Sequence, residues 1–260
     1  MTSILENLIL GIIQGLTEWF PVSSSGHLTI VKEVAGWDPP ILFLVLLHVA
    51  TLSVLVTFFR KTIKDILLAL VKGDFNSADG KFGVLLIVGT VPTATIGFIF
   101  RDTFKSFFNN LPVVGIALLT TGTLLYISKT EKGKKSVDYI DAILIGVAQG
   151  FSIIPGISRS GATISTGFMR KIDKQKVFDF SFLLSIPAIL GAAIVESSDL
   201  PLLITNEGDL NALIVGIITS IIVSFISLKI LKRIVLKGKL HYFSPYCWLA
   251  GILIIISQIR

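Results

Sequence analysis

Apolar residues run through most of the chain in stretches long enough to cross a lipid bilayer. A spanning helix needs about 20 predominantly apolar residues. Stretches that approach this length predict six membrane-spanning helices, at residues 41–59, 82–100, 111–128, 178–195, 212–228 and 243–259. The pattern therefore predicts an all-α polytopic membrane protein, organised as a single integral membrane domain over residues 1–260.

A further apolar stretch at the N-terminus is interrupted by polar residues. The apolar arm 4–20 is followed by Pro21, three serines and Gly26. The arm after this break, residues 27–36, reaches only about 15 Å as a helix and cannot span. We interpret residues 1–37 as a re-entrant hairpin with its tip between Pro21 and Gly26, because irregular backbone is tolerated in a membrane only where protein or water surrounds it.

Residues 139–170 have the same form, with a break at Pro155-Gly156, and predict a second hairpin. Gln14-Gly15-x-Thr17 recurs as Gln149-Gly150-x-Ser152, and Ser23-x-Ser25-Gly26 recurs as Ser158-x-Ser160-Gly161. We therefore expect two repeats, 1–128 and 138–260, each with one re-entrant hairpin and three transmembrane helices. Because three crossings are an odd number, the second repeat is inverted. The two hairpin tips then meet near the bilayer midplane, where such repeats place their functional site.

The basic residues indicate how the chain is oriented. If each hairpin returns to the side it entered, 18 of the 23 Lys and Arg residues fall on one side, in loops 60–81, 129–138, 170–177 and 229–242. The positive-inside rule makes this side cytoplasmic, so both termini and the opening of the site face outward. The same rule accounts for the net charge of +6 without a nucleic-acid partner.

The first tip carries several candidate functional residues. Glu18 lies four residues after Gln14, on the same helix face, and an ionisable side chain inside a membrane segment is costly and therefore a functional candidate. The alternative is a carboxylate beside a water-filled vestibule with no role. Ser24 and His27 are a candidate nucleophile and base. Gln14, Ser23, Ser25 and Gly26 are candidate phosphate-binding residues, although a serine-rich turn with glycine is usually only a turn.

The second tip contains Arg159, whose guanidinium cannot lose its proton and fits phosphate in a fork. Ser158, Ser160, Gly161 and Thr163 add hydroxyl and backbone donors. The alternative is an Arg159–Glu18 pair with a purely structural role. His48, inside a span, is expected to bond a neighbouring helix or to lie behind the site. Together the two tips favour a phosphorylated lipid as ligand.

The two motifs resemble the signatures of a known family. Q-G-L-T-E-W-F-P-V-S-S-S-G-H at 14–27 and P-G-I-S-R-S-G-A-T at 155–163 are similar to those of the undecaprenyl-diphosphate phosphatase (bacitracin-resistance protein) family. The resemblance covers the whole chain. It implies an inverted-repeat membrane hydrolase that removes the terminal phosphate of undecaprenyl diphosphate at the outer face of the cell membrane. This recycles the lipid carrier for wall synthesis and confers resistance to bacitracin, which sequesters the substrate.

The resemblance also implies that Glu18, Ser24, His27 and Arg159 are essential. It implies a divalent cation, Mg²⁺ or Ca²⁺. Glu18 either holds this cation or orients His27. Gln14 occupies a position where other members carry glutamate, so a second carboxylate for the cation is missing. The nucleophile is left open between Ser24, deprotonated by His27, and His27 itself.

An alternative function is a transporter or flippase of polyprenyl phosphate, since inverted repeats and broken helices are also transporter architecture. A serine and a histidine beside Glu18 favour chemistry over transport. The sequence leaves open the polyprenyl length, the preferred cation and the oligomeric state, a homodimer included.

Overall fold

A computed structural model of the chain describes residues 3–37, 39–108, 110–129, 133–197 and 207–258. Within these ranges the fold is helical, apart from an isolated parallel bridge between Lys135 and Ile172. The helices in chain order are α1 (Ile4–Thr17), α2 (Ser24–Ala35), α3 (Ile41–Phe58), α4 (Arg60–Val71), α5 (Ala78–Ile99), α6 (Arg101–Phe107), α7 (Leu111–Ile127), α8 (Tyr139–Phe151), α9 (Arg159–Met169), α10 (Lys174–Ser197), α11 (Glu207–Leu236) and α12 (Ser244–Ser257). A short 3₁₀-helix, Leu240–Phe243, precedes α12.

Each of the six predicted spans is occupied by a helix: α3, α5, α7, α10, α11 and α12. In the described part of the chain, four stretches are long and apolar enough to cross a bilayer: Ala78–Ile99, Lys174–Val195, Leu210–Leu236 and Leu240–Ser257. The number rises to six if the bent pairs α3–α4 and α6–α7 each form one span. The apolar helices α1 and α8 are shorter, as the hairpin interpretation predicts. The fold is thus that of an all-helical, polytopic membrane protein.

A segment predicted as a loop is helical in the structure. The segment 60–81, predicted as a loop, contains α4, which bends by 77° away from α3. Its basic residues Arg60 and Lys64 share the helix with the buried Ile66. The outermost residues of the predicted hairpin 1–37 and of the span 243–259 lie outside the described ranges. The inverted orientation of the two repeats and their sidedness in the bilayer stay predictions.

Proline positions explain where both hairpins break. Proline in a helix clashes with the carbonyl group four residues before it. Accordingly α1 ends at Thr17, four residues before Pro21, and α8 ends at Phe151, four residues before Pro155. The two repeated motifs therefore break their helices in the same way.

The return helices of both hairpins also begin alike. The side chain of Ser23 caps α2 by accepting a hydrogen bond from the backbone N–H of Gly26, at 3.2 Å. The side chain of Ser158 caps α9 by accepting one from the backbone N–H of Gly161, at 3.1 Å. The predicted irregular tip is consequently shorter than expected, since α2 begins at Ser24 and includes Gly26.

Charged residues close the open end of the second hairpin. Asp141, at the start of α8, is fully buried and accepts a 2.7 Å hydrogen bond from Nε of Arg170, at the end of α9. Nζ of Lys135 lies 2.8 Å from the same carboxylate. Lys135 also hydrogen-bonds the exposed carboxyl of Asp138 and lowers its pKa to about 2. These ion pairs hold the ends of α8 and α9 together.

Each hairpin packs against a helix from the other half of the chain: α1 lies against α11, and α8 lies against α5. Glycines permit these contacts. A Cβ atom at Gly11 would lie 2.4 Å from the carbonyl oxygen of Gly216, and one at Gly146 would lie 2.1 Å from the carbonyl oxygen of Gly89. Small residues at a contact between membrane helices let the two backbones approach closely. The packing therefore fixes the position of both tips.

Replacing Gly146 by alanine should destabilise the protein, since the added methyl group meets a backbone oxygen that cannot move aside. Overpacking of this kind costs roughly 1–3 kcal/mol. We expect a lower midpoint of thermal unfolding in detergent. Gly191→Ala is the matched control, because a Cβ atom there has no neighbour within 4 Å. Equal unfolding temperatures for the two variants would contradict the packing of α8 on α5.

Candidate functional site

The two hairpin tips touch, as the repeats predict. The backbone N–H of Gly156 donates to the hydroxyl oxygen of Ser23 at 3.0 Å. A Cβ atom at Gly26 would lie 3.1 Å from the Cα atom of Gly156. Ser23 has a φ of 70°, a conformation that a residue other than glycine seldom adopts and that costs about 1–3 kcal/mol. The structure holds this strained residue where the two halves of the chain meet.

The spanning helices fix both tips in place. Trp19 is fully buried; its indole N–H donates to the hydroxyl of Ser224 on α11, and its carbonyl accepts from the hydroxyl of Ser160 at 2.8 Å. On the other tip, the hydroxyl of Thr121 on α7 donates to the carbonyl of Gly156 at 2.8 Å. The tips therefore form a rigid support for the side chains between them.

Glu18 lies at the centre of the site, where α1 ends. One oxygen of its buried carboxylate forms an ion pair with Arg159, the first residue of α9. The other oxygen accepts hydrogen bonds from the hydroxyl of Ser24 at 2.7 Å and from the amide of Gln14 at 3.0 Å. The structure thus brings together four of the predicted site residues, and Glu18 and Arg159 form an ion pair across the two tips, the contact that the structural alternative also predicts.

His27 is arranged differently from the prediction. Its Nδ1 lies 2.8 Å from the carbonyl oxygen of Ser23, and its Nε2 lies 2.6 Å from the hydroxyl of Tyr246 on α12. The rings of His27 and Tyr246 stack, with centroids 5.7 Å apart. Because a carbonyl oxygen only accepts, Nδ1 must carry a hydrogen. Both ring nitrogens are therefore engaged away from Ser24, whose hydroxyl donates to Glu18 instead.

The remaining hydroxyls of the two motifs mostly stabilise the tips. Ser160 donates to the Trp19 carbonyl, and Thr163 donates to the carbonyl of Arg159 at 2.8 Å. The hydroxyl of Ser25 lies 3.3 Å from that of Ser23, and the same distance separates Ser158 from Ser160. Gly161 donates its backbone N–H to the cap of α9. These bonds leave the guanidinium and the first backbone N–H groups of α2 and α9 as the groups suited to an anion.

Arg159 has capacity to bind more than Glu18. A guanidinium has five N–H donors, and the contact with Glu18 uses one nitrogen. The side chain is 17% exposed, so an approaching ligand can reach it. A phosphate oxygen bonded to this group would lie beside the hydroxyl of Ser24, since both contact the same carboxylate.

Two residues near the site stand outside the motifs. Nε2 of His48, on α3, lies 3.8 Å from the Glu18 carboxylate, while its Nδ1 lies 2.9 Å from the carbonyl of Leu44 on its own helix. His48 therefore lies behind the site, one of the two positions expected for it. Tyr246 was missed, because nothing in its local sequence links it to His27, 219 residues earlier.

The side-chain oxygen atoms of Glu18 and Gln14 can be tested as ligands for a divalent cation. The amide nitrogen of Gln14 must face Glu18, since a carboxylate oxygen only accepts. This leaves the amide oxygen of Gln14 buried with no hydrogen-bond partner among the described residues. Within those residues no group of three His, Cys, Asp or Glu side chains could hold a metal ion. The amide and carboxylate oxygens do fit an ion that also binds substrate phosphates, because Mg²⁺ usually takes only one or two protein carboxylates.

The fold and the site define a polytopic membrane protein in which two broken helices bring a carboxylate, a serine and an arginine together. The chain matches the family described as bacitracin resistance protein BacA over residues 7–253, and it belongs to that family.

Close relatives support the same assignment over nearly the full chain. The chain is 41% identical to an undecaprenyl-diphosphatase of Carboxydothermus hydrogenoformans over 260 residues, which cover 97% of each chain. It is 42% identical to one of Alkaliphilus metalliredigens over 268 residues, covering 97% of this chain and 98% of the relative. It is 33% identical to one of Methanosphaera stadtmanae over 277 residues, covering 100% and 99%.

Proposed function

We propose that the chain is a membrane phosphatase that hydrolyses undecaprenyl diphosphate to undecaprenyl phosphate and inorganic phosphate. This reaction recycles the lipid carrier and confers bacitracin resistance. The observation that carries the proposal is the contact of Glu18 with both Ser24 and Arg159 at the touching tips. A nucleophile, an acceptor for its proton and a cation for phosphate are thereby within one hydrogen-bonded group. The names of the relatives at 41% and 42% identity support the substrate.

Phosphoryl transfer depends on positioning and on neutralising charge. Arg159 would bind the diphosphate through the N–H groups that Glu18 does not use, and the first backbone N–H groups of α2 and α9 would add donors. The polyprenyl chain stays in the hydrocarbon between or beside the helices. The terminal phosphorus is then placed next to the hydroxyl of Ser24.

The contact between Ser24 and Glu18 supports Ser24 as the nucleophile. Its proton passes to the carboxylate of Glu18, a bond forms between its oxygen and the terminal phosphorus, and the bond to the bridging oxygen breaks. Undecaprenyl phosphate leaves. Water then attacks the phosphoserine, the bond between phosphorus and the Ser24 oxygen breaks, and Glu18 returns its proton to that oxygen as phosphate is released. Attack by His27 would require its Nε2 to leave Tyr246, and it would give the contact between Ser24 and Glu18 no part in the reaction. We assign His27 to the second step: once Tyr246 releases Nε2, this nitrogen can take the proton of the attacking water.

A divalent cation, Mg²⁺ or Ca²⁺, fits this site. Glu18 would hold it together with the substrate phosphates, and Gln14 would join as a ligand once its amide turns so that the oxygen faces Glu18. When bound, it would neutralise charge on the diphosphate. The amide at Gln14 supplies an oxygen ligand in place of a second carboxylate.

We also propose the inverted repeat and an outward-facing site. Three features support two equivalent repeats. Both motifs break their helices four residues before a proline, and both return helices begin with a serine cap. The first helix of each motif also packs on a helix from the other half of the chain, α1 on α11 and α8 on α5. The basic loops support a cytoplasmic face opposite the termini. The substrate would then be reached from the outer leaflet.

A direct assay tests the function. The purified protein in detergent, given undecaprenyl diphosphate, should release inorganic phosphate, and a chelator should suppress the release because the cation is lost. Detergent abolishes sidedness, so a transporter or flippase of polyprenyl phosphate would release none. An inactive, correctly folded protein with added Mg²⁺ or Ca²⁺ would contradict the proposal. The control for effects of mutagenesis and purification is Lys237→Ala, which changes an exposed loop residue.

A further inference from the structure

A small cavity lies between α9 and α10. It is lined by Arg159, Ser160 and Thr163 of α9 and by Ser181, Phe182 and Ser185 of α10. Its volume is about 10 Å³, close to the lower limit for holding one water molecule. Apart from Phe182, its lining residues carry polar groups, which a bound water molecule needs as partners.

Ser181 is the unusual residue in this lining. It is only 4% exposed, and its hydroxyl has no hydrogen-bond partner among the described residues. Ser185, one helical turn later, donates to the carbonyl of Phe182 at 2.7 Å, as serines inside helices commonly do. A buried hydroxyl without a partner is costly, so a partner in the cavity is expected.

The other polar groups can complete the coordination of one water. The hydroxyl hydrogens of Ser160 and Thr163 are already donated to backbone carbonyls, so their oxygens are left to accept. Arg159 still has N–H groups to donate. A water molecule could therefore accept from Arg159 and Ser181 and donate to the neighbouring hydroxyl oxygens, which gives it the usual number of bonds.

We propose that Ser181 is a positioning residue, which holds the guanidinium of Arg159 through one bound water molecule. This inference rests on the proposed function. Glu18 is the other anchor of the guanidinium, and it is neutralised when it takes the proton of Ser24. The ion pair then weakens at the moment when Arg159 must face the phosphate. A second anchor of the guanidinium, independent of Glu18, keeps its orientation through that step.

Replacement of Ser181 by alanine should therefore lower kcat more than it raises KM. The charge of Arg159 still attracts the diphosphate, but its orientation is lost, so we expect kcat to fall about tenfold with KM nearly unchanged. The control is Ser227→Ala, a buried serine of α11 whose hydroxyl donates to its own helix. Both variants should unfold within a few degrees of the wild type. An unchanged kcat in Ser181→Ala would overturn the proposal, since it would show that the hydroxyl of Ser181 has no part in turnover.

A high-resolution experimental structure gives a second measurement that does not depend on activity. We expect an ordered water between the hydroxyl of Ser181 and the guanidinium of Arg159 in the wild type, and its loss in Ser181→Ala. Absence of that water from the wild type would overturn the proposal. Failure of the wild type to release phosphate would instead contradict the proposed function and leave the water site to be judged by this structure.

Discussion

Replacing Arg159 by alanine should abolish phosphate release from undecaprenyl diphosphate. The guanidinium is the cation at the point where both hairpin tips touch, and it pairs with the carboxylate that also contacts Ser24. Arginines that stabilise a transferring phosphoryl group are worth roughly 10³–10⁵ in turnover. Release of phosphate measured in detergent should fall by this order. Arg159→Lys should recover only part of the rate, because lysine is a point charge and cannot bind phosphate in a fork.

Loss of the ion pair could also unfold the protein, so fold and activity must be measured separately. Removing one partner of a buried ion pair leaves the other charge uncompensated and costs about 3–5 kcal/mol. The double variant Glu18→Gln with Arg159→Gln removes both charges and should unfold at a higher temperature than Arg159→Ala. If the pair has only a structural role, this neutral variant regains activity with its fold. We expect it to fold and stay inactive; a folded Arg159→Ala that releases phosphate at the wild-type rate would show that the site lies elsewhere.

The helix breaks and the contact between the two tips were predictable from the sequence. The breaks follow from the positions of the prolines and from helix length, and the contact follows from the repeat. Pro21 and Pro155 mark the ends of α1 and α8, which at 14 and 13 residues are shorter than the about 20 that a span needs. The inverted repeat predicts that the two tips meet. In the structure the tips touch, and Arg159 forms an ion pair with Glu18.

The hydrogen-bond acceptor of the Ser24 hydroxyl was not predictable in the same way. Ser24 and His27 are three residues apart on α2, which suggested a contact between them. In the structure the start of α2 leaves the carbonyl of Ser23 beside the His27 ring, and Tyr246 approaches from α12. Helical spacing restricts which residues share a face, but the direction of a side chain is decided by partners from distant parts of the chain. Ser181 on α10 and His48 on α3 are likewise brought to the site by the packing of helices that are distant in the sequence.

Replacing Ser24 by alanine should prevent formation of a covalent phosphoenzyme and lower phosphate release by roughly 10³-fold or more, as loss of a nucleophile does. The hydroxyl is 2.7 Å from Glu18, so its removal deletes both the attacking oxygen and the proton that the carboxylate accepts. The measurement is acid quench of the wild type during turnover of substrate labelled in the terminal phosphate, followed by peptide mapping. We expect label on Ser24 in the wild type and none in Ser24→Ala. Ser53→Ala, changed in an exposed serine of α3 that bonds its own helix, should keep label and rate.

Glu18→Gln separates the role of the carboxylate from that of the nucleophile. Glutamine keeps the size of the side chain but cannot take a proton, so the phosphoenzyme should form far more slowly while Ser24 is intact. His27→Ala should have the opposite signature, because the first step proceeds and hydrolysis of the phosphoserine is impaired, so label on Ser24 accumulates. Label on His27 in the wild type would instead assign the attack to the imidazole. Absence of label in every variant would indicate direct attack by water, with Glu18 as its base and Ser24 as a binding group.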